Sequence, residues 1–220
     1  MRIYRIRSSK QAEAEDSKAG ALPAKAHLDQ AQVGIAGYLD VETTGLSPYD
    51  HEVIELALAL FTFNRQTGEI IEVCDEYVGL REPGRDIPYG ATRIHGLTVE
   101  HVRGKELDYE RIEQMLEQAE FLVAHNASFD RGFVTRLVPK TQSKNWLCSM
   151  RGIKWRYMGF ASAALQNLLH WHGIKPAQAH RAGADVQCAI ELLSRRNAHG
   201  DTYFLELLRG VFPGSSTEIG

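Results

Sequence analysis

At Val33 the chain changes character, and the succession of strand-like runs that begins there narrows the fold more than any other feature. There are three of these β-rich runs: VGIAGYLDV from Val33, VIELALALFTF from Val53 and EIIEVCDEYVGL from Glu69. The polar, glycine-containing NRQTG between the last two reads as a turn, so these two runs are expected to form a hairpin. Helical periods then take over. Ile112, Met115, Leu116 and Ala119 recur at helical spacing over 108–119, and FLVAH supplies a short buried strand. Further helices are expected over 127–138, from Ser162 as N-cap through LQNLLHWH to a stop at Gly173, and over 183–195 with Val186, Ala189, Ile190 and Leu193 on one face. A strand meander followed by alternating helices and short strands specifies an α/β domain with a mixed sheet.

The residues before Val33 are different. From Ser8 to Gln32 they are mostly Ala, Lys, Glu, Ser and Gln, which reads as a polar arm over 1–32 ahead of a domain at 33–211 and a tail at 212–220. The formal net charge of −3 excludes a protein that coats nucleic acid by bulk charge, and equally an acidic disordered chain. Three separated cysteines, Cys74, Cys148 and Cys188, with no C-x-x-C, argue against a disulfide framework or zinc ribbon and for a reducing cytoplasm. The longest apolar run, Val53 to Phe63, is too short to span a bilayer and contains Glu55. The basic N-terminus runs into QAEAEDSK without an apolar stretch, so neither a secretory signal nor a transit peptide is expected.

Four acids stand out. In YLDVETTGL, Asp40 and Glu42 are two apart at the end of the first strand, and a strand's period of two puts both on one face. Adjacent negative charges are costly unless neutralised. Either they form an exposed, solvated turn before Thr-Thr-Gly, or they hold a cation such as Mg²⁺, which takes carboxylate and phosphate oxygens. Asp130, in HNASFD, lies about one turn into the helix after FLVAH. His180 and Asp185 are five apart in HRAGADV, and at about 100° per residue one helix would turn them to different faces. To cooperate, His180 must sit in the loop before the helix that carries Asp185.

In this order, DxETTG, HNxxFD and HRAxxD resemble the three motifs of the DEDDh 3′-to-5′ exonucleases, the superfamily of the polymerase III epsilon subunit and ribonuclease T. IHGLT (Ile94 to Thr98) is similar to that family's segment between the first two motifs, and LQNLLHWHGI to the helix leading to the third. The resemblance covers roughly residues 35–195. It implies a ribonuclease H-like fold with a five-stranded mixed sheet in the order 3-2-1-4-5, flanked by helices. It also implies that Asp40, Glu42, Asp130 and Asp185 hold two Mg²⁺ or Mn²⁺ ions and that His180 is the general base. The reaction implied is hydrolysis of single-stranded nucleic acid from its 3′ end, releasing nucleoside 5′-monophosphates.

By the same resemblance Thr43, Thr44 and Gly45 approach the terminal nucleotide, Leu46 wedges against its base and Phe129 stacks on a base, with His95 and Asn126 as further pocket residues. Core filling is the competing reading for Leu46 and Phe129. Gly183 stands where many relatives carry a bulkier apolar residue, and is expected to loosen the hinge between His180 and Asp185. DNA is the favoured substrate; RNA or short-oligonucleotide trimming and a non-catalytic module bound to nucleic acid or a polymerase are the alternatives. The motifs leave oligomeric state open.

Residues 131–156 add a local charge of +7, from Arg131, Arg136, Lys140, Lys144, Arg151, Lys154 and Arg156, with no acid among them. Such a run suits a groove that tracks a phosphate backbone, with Trp146 and Trp155 read as core. Reversing Lys140 and Lys144 to Glu is expected to weaken binding and flatten its salt dependence.

Overall fold

The computed structural model describes residues 30–210. Most of the arm and the whole of the tail therefore lie outside the described residues. Three long strands, β1 (Val33–Thr43), β2 (Val53–Asn64) and β3 (Ile70–Leu80), form an antiparallel meander. Helices α1 (Tyr89–His95), α2 (Val99–Val102) and α3 (Tyr109–Gln118) lead to β4 (Phe121–Ala124), which pairs parallel with β1. Helix α4 (Ala127–Leu137) comes next, then β5 (Asn145–Cys148), parallel to β4, and α5 (Ser149–Gly152). The chain continues through α6 (Leu165–Trp171), α7 (Ala182–Ser194) and α8 (Tyr203–Arg209). The sheet order is β3-β2-β1-β4-β5, as the resemblance implied.

Both faces of the sheet are covered, which explains why β2 is almost uninterruptedly apolar. Its Ala57, Ala59, Phe61 and Phe63 pack with Ala36 and Tyr38 of β1 against α6, α7 and α8. Its Leu56, Leu58 and Leu60 pack with Leu39 and Val41 against α3 and α4. Strand β3 lies at the edge, and its residues 72–75 are exposed or half-buried. By the period of two, Asp40 and Glu42 continue the Ala36–Tyr38 row and face the α7 side.

Some expectations shift. The helix expected from Ser162 begins at Leu165 with Ala164 as its cap residue; the Ser162 hydroxyl instead accepts the Ala164 amide at 3.1 Å. Gly173, just past that helix, has φ of 66°, as a glycine stop requires. Strand β5 falls inside the basic run, where the sequence showed no strand. Gly183 lies in the first turn of α7, and a Cβ there would come within 2.9 Å of Val78 on β3. Its role is close packing of α7 on the sheet, not loosening of a hinge.

Candidate active site

The site forms at the C-terminal end of β1. Asp40 and Glu42 come from the strand itself, and Asp185 from the first turn of α7. One carboxylate oxygen from each of these three lies within 4.8 Å of the others. Asp130 stands just outside that trio on α4, 2% exposed, with Oδ2 buried and unpartnered. His180 is where the spacing required: in the loop before α7, exposed, with φ of 58°. Its backbone and its charge both reach the Asp185 carboxylate.

Burial first, and crowding second, set the electrostatics. Burial, with Asp185, Glu55 and Asp130 nearby, pushes Glu42 up to about 8. Burial raises Asp130 to about 8 against backbone amides that lower it. Burial, Asp130 and Glu42 push Asp40 well above the usual carboxylate range, and burial raises Asp185. A set of acids held together against their own repulsion, one with an orphaned buried oxygen, fits a divalent cation taking oxygen ligands.

Crowding also links stability to pH. These folded-state pKa values lie above the unfolded ones, so the native state binds more protons and the cation-free protein loses stability as pH rises from about 4.5 to about 8. Cations compete with those protons. Mn²⁺ at a fixed concentration of about a hundred times its Kd at pH 8 is therefore expected to raise the melting temperature by about 5–10 °C at pH 8, and by less at pH 6, where protons weaken its binding. Differential scanning fluorimetry with and without chelator checks this; equal shifts at both pH values would contradict it.

Three residues that sequence reasoning missed, Glu55, Arg181 and Gln166, hold the site in shape. Glu55 of β2, directly across from Glu42 in the strand register, has a side chain only 1% exposed. It accepts two bonds from Arg181 Nε at 3.0 and 3.1 Å, one from Nη2 at 2.5 Å, and the Ala182 amide at 2.9 Å. This clamp ties the start of α7, and with it His180 and Asp185, to the central sheet. Its only sequence signal was an acid interrupting an apolar strand. On the other side, Gln166 of α6 donates to Asp185 Oδ1 at 2.9 Å.

Beside the acids lies a cavity of about 660 Å³, within the roughly 300–1,000 Å³ typical of small-ligand sites. Glu42, the Thr43–Leu46 turn, His95 and Phe129 all line it. The turn is tight: Thr43 Oγ1 donates to the Gly45 carbonyl at 2.6 Å, and Thr44 Oγ1 accepts the Glu52 amide at 3.0 Å. A Cβ at Gly45 would come within 2.5 Å of the His51 ring, so any larger residue there would have to push that ring aside. Leu46 is 84% exposed, which removes the core-filling reading for it. Phe129 is half-buried against Phe133 and has one side on the cavity. His95 is buried, its Nδ1 accepting the Leu97 amide at 3.0 Å; burial lowers its pKa, which keeps the ring neutral. Asn126 does not line the cavity. It occupies a left-handed turn at the start of α4, with φ of 71°, and faces Arg151.

The basic run is split by the fold. Lys140 is held by Glu113 at 2.8 Å and Glu117 at 2.9 Å, and Lys144 Nζ donates to the Ala119 carbonyl at 2.6 Å. Reversing those two lysines would disturb α3 and its neighbours, so they are not the test of nucleic-acid binding that the linear sequence offered. Trp155 is buried and Trp146 half-buried, both bonded to backbone carbonyls, as expected of core residues. The three cysteines are free thiols, and among the described residues no helix is long and apolar enough to cross a membrane.

Comparison with known proteins agrees with this geometry. The profile of the exonuclease family (RNase T) matches residues 38–193. The PolC-type DNA polymerase III of Thermotoga petrophila is 30% identical over 186 residues, covering 82% of this chain and 12% of that protein. That of Streptococcus suis is 38% identical over 101 residues, covering 43% of this chain and 6% of that one. The chain thus spans about an eighth or less of the length of these polymerases. Among solved structures, the zinc-bound E. coli exonuclease I complex with single-stranded DNA superposes with a TM-score of 0.60 at 17% identity, over 83% of this chain and 42% of that one. Exonuclease X in complex with 5′ overhanging duplex DNA gives 0.50 at 24% identity, over 77% of this chain and 98% of that one. The acid set, the sheet order and the matched profile agree, and the chain belongs to the DEDDh exonuclease superfamily.

Proposed function

We propose that this protein hydrolyses single-stranded DNA from the 3′ end in the 3′-to-5′ direction, releasing nucleoside 5′-monophosphates, with two Mg²⁺ or Mn²⁺ ions held by Asp40, Glu42, Asp130 and Asp185. The observation that carries this reading is the acid set at the mouth of a nucleotide-sized cavity, with Glu42 belonging to both. A cavity beside the acids favours a chain terminus over an internal phosphodiester.

The residue roles are argued from where the side chains sit. The Thr43–Gly45 turn brings backbone close to the terminal nucleoside, Leu46 presses on its base from the solvent side, and Phe129 offers a ring for stacking. Neutral His95 presents its Nε2–H near the backbone of Thr43. His180, exposed and next to Asp185, takes the proton of the attacking water. Cations bound at these acids would lower the pKa of that water and supply a counter-charge for the departing 3′ oxygen. The PolC-type relatives support a polymerase context for the protein, and its free thiols support a reducing compartment such as the cytoplasm.

The direct test uses 3′-labelled and 5′-labelled single strands of DNA and of RNA with Mg²⁺ or Mn²⁺. Stepwise loss from the 3′ end, stopped by chelator and faster on DNA, is the expected result. Faster loss of RNA would reassign the sugar, and no hydrolysis of any strand with either metal would overturn the reading.

A further inference from the structure

A second cavity, of about 250 Å³, is walled by residues 48–53, which follow the Leu46 turn, and by Arg81, Arg85 and Arg136; none of the four site acids lines it. His51 lines both cavities, so the two are neighbours that share one side chain. The walls of the second are cationic and aromatic: Tyr49, Arg81, Arg85 and Arg136, with Asp50 and Glu52 as its acids. Both acids are already engaged. Ser47 Oγ donates to Asp50 at 2.8 Å, and Arg81 pairs with Glu52 at 2.8 Å while the Gly84 amide donates to Glu52 at 3.2 Å. Arg81 is therefore neutralised, and Arg85 adds a further positive charge near Glu52. Arg136 has no ion-pair partner among the described residues.

The guanidinium of Arg136 lies over the Tyr49 ring at 5.2 Å from its centroid. Tyr49 is 81% exposed, so a ring that carries a cation on one face still offers the other to a planar group. The loop bearing it is braced: Pro48 packs on Gly132 of α4, where a Cβ would come within 3.3 Å, and the Asp50 and His51 amides both bond the Ser47 carbonyl. A large aromatic side chain on a rigid turn, left uncovered and backed by an unneutralised arginine, has the composition of a platform for a base beside a backbone phosphate. A cavity of this size takes a phosphate and its sugar rather than a whole buried nucleoside.

We infer that Tyr49, Arg136 and Arg85 form a second nucleic-acid subsite, which binds a backbone phosphate and stacks one base beyond the Leu46 turn. The inference rests on the nucleic-acid reading of the neighbouring cavity and extends it. The phosphate has two sources, the upstream part of the strand being degraded or a second strand annealed to it.

Binding distinguishes them and does not depend on turnover. Fluorescence anisotropy in chelator, over a range of salt, is measured with a labelled single strand of about 20 nucleotides, longer than one single-strand binding site, and with its blunt duplex, on the full chain. Tyr49→Ala is expected to weaken binding roughly 5- to 150-fold, the equivalent of one stacked base. Arg136→Gln is expected to reduce the slope of log K against log salt by about 0.7–0.9, the equivalent of one phosphate. Effects on the single strand assign the subsite to the degraded strand; effects confined to the duplex assign it to the second strand. Arg85→Gln should act as Arg136→Gln does, and Lys140→Gln, whose lysine is committed to Glu113 and Glu117, serves as the control. Unchanged affinity and salt slope on both probes for Tyr49→Ala and Arg136→Gln, with melting temperatures unaltered, would overturn the subsite. Absence of hydrolysis by the parent protein would instead strike only the catalytic reading.

Discussion

Glu42→Gln is expected to lower hydrolysis by roughly 10³-fold or more while making the cation-free protein more stable. The two effects have one cause. Glu42 is pushed up to about 8 by burial and by Asp185, Glu55 and Asp130, so at pH 8 the native state tolerates its charge poorly. An amide of the same shape removes that repulsion. The gain is absent below about pH 4.5, where the carboxyl is neutral in both states, and grows as pH rises to about 8. On the proposed reading the same substitution removes a cation ligand, and cation stabilisation of transition-state charge is worth several kcal/mol, which sets the expected loss of rate. Single-turnover hydrolysis and melting curves with chelator or Mn²⁺ measure both. A variant with Mn²⁺-dependent activity within tenfold of the parent would show that Glu42 holds no cation.

Arg181→Ala is expected to cost about 3–5 kcal/mol of folding free energy, the usual consequence of leaving a buried charge without its partner. Glu55 would keep only the Ala182 amide, in a region that already holds the four acids. For a chain of this size the melting temperature should fall by roughly 6–20 °C. Glu55→Gln should be milder, because the Arg181 side chain is already 29% exposed and can turn to water. The double variant Glu55→Gln/Arg181→Ala should recover most of the loss. Hydrolysis at a temperature where all variants are folded should show the same order, since the clamp sets the start of α7 on which Asp185 and the neighbouring His180 depend. A loss under about 1 kcal/mol in Arg181→Ala would show that the pair contributes little.

The meander was legible because β2 and β3 are long and joined by a polar turn, and helices α3, α4 and α7 because their apolar residues recur at helical spacing. Strand β5 was hidden: four residues, NWLC, only one of them buried, inside a run dominated by charge. Its identity comes from lying parallel to β4, a pairing no local pattern announces. The seven cations of residues 131–156 show the same limit from the other side. They are adjacent in sequence, but Lys140 turns to α3, Arg136 to Tyr49 and Arg151 to Asn126.

The acids Asp40, Glu42, Asp130 and Asp185, and the need for His180 to lie outside the helix, could be read from spacing and motif order, because strand and helix periods are local properties of the backbone. Which groups neutralise, clamp and wall off those acids could not. Glu55 meets Arg181 across 126 residues, Gln166 meets Asp185 across 19, and His51 reaches Gly45 through the folding-back of a turn. Such contacts form between elements whose mutual placement is set by packing on the two faces of the sheet. Local periodicity carries no information about that placement, so the site's chemistry was visible in one dimension and its support only in three.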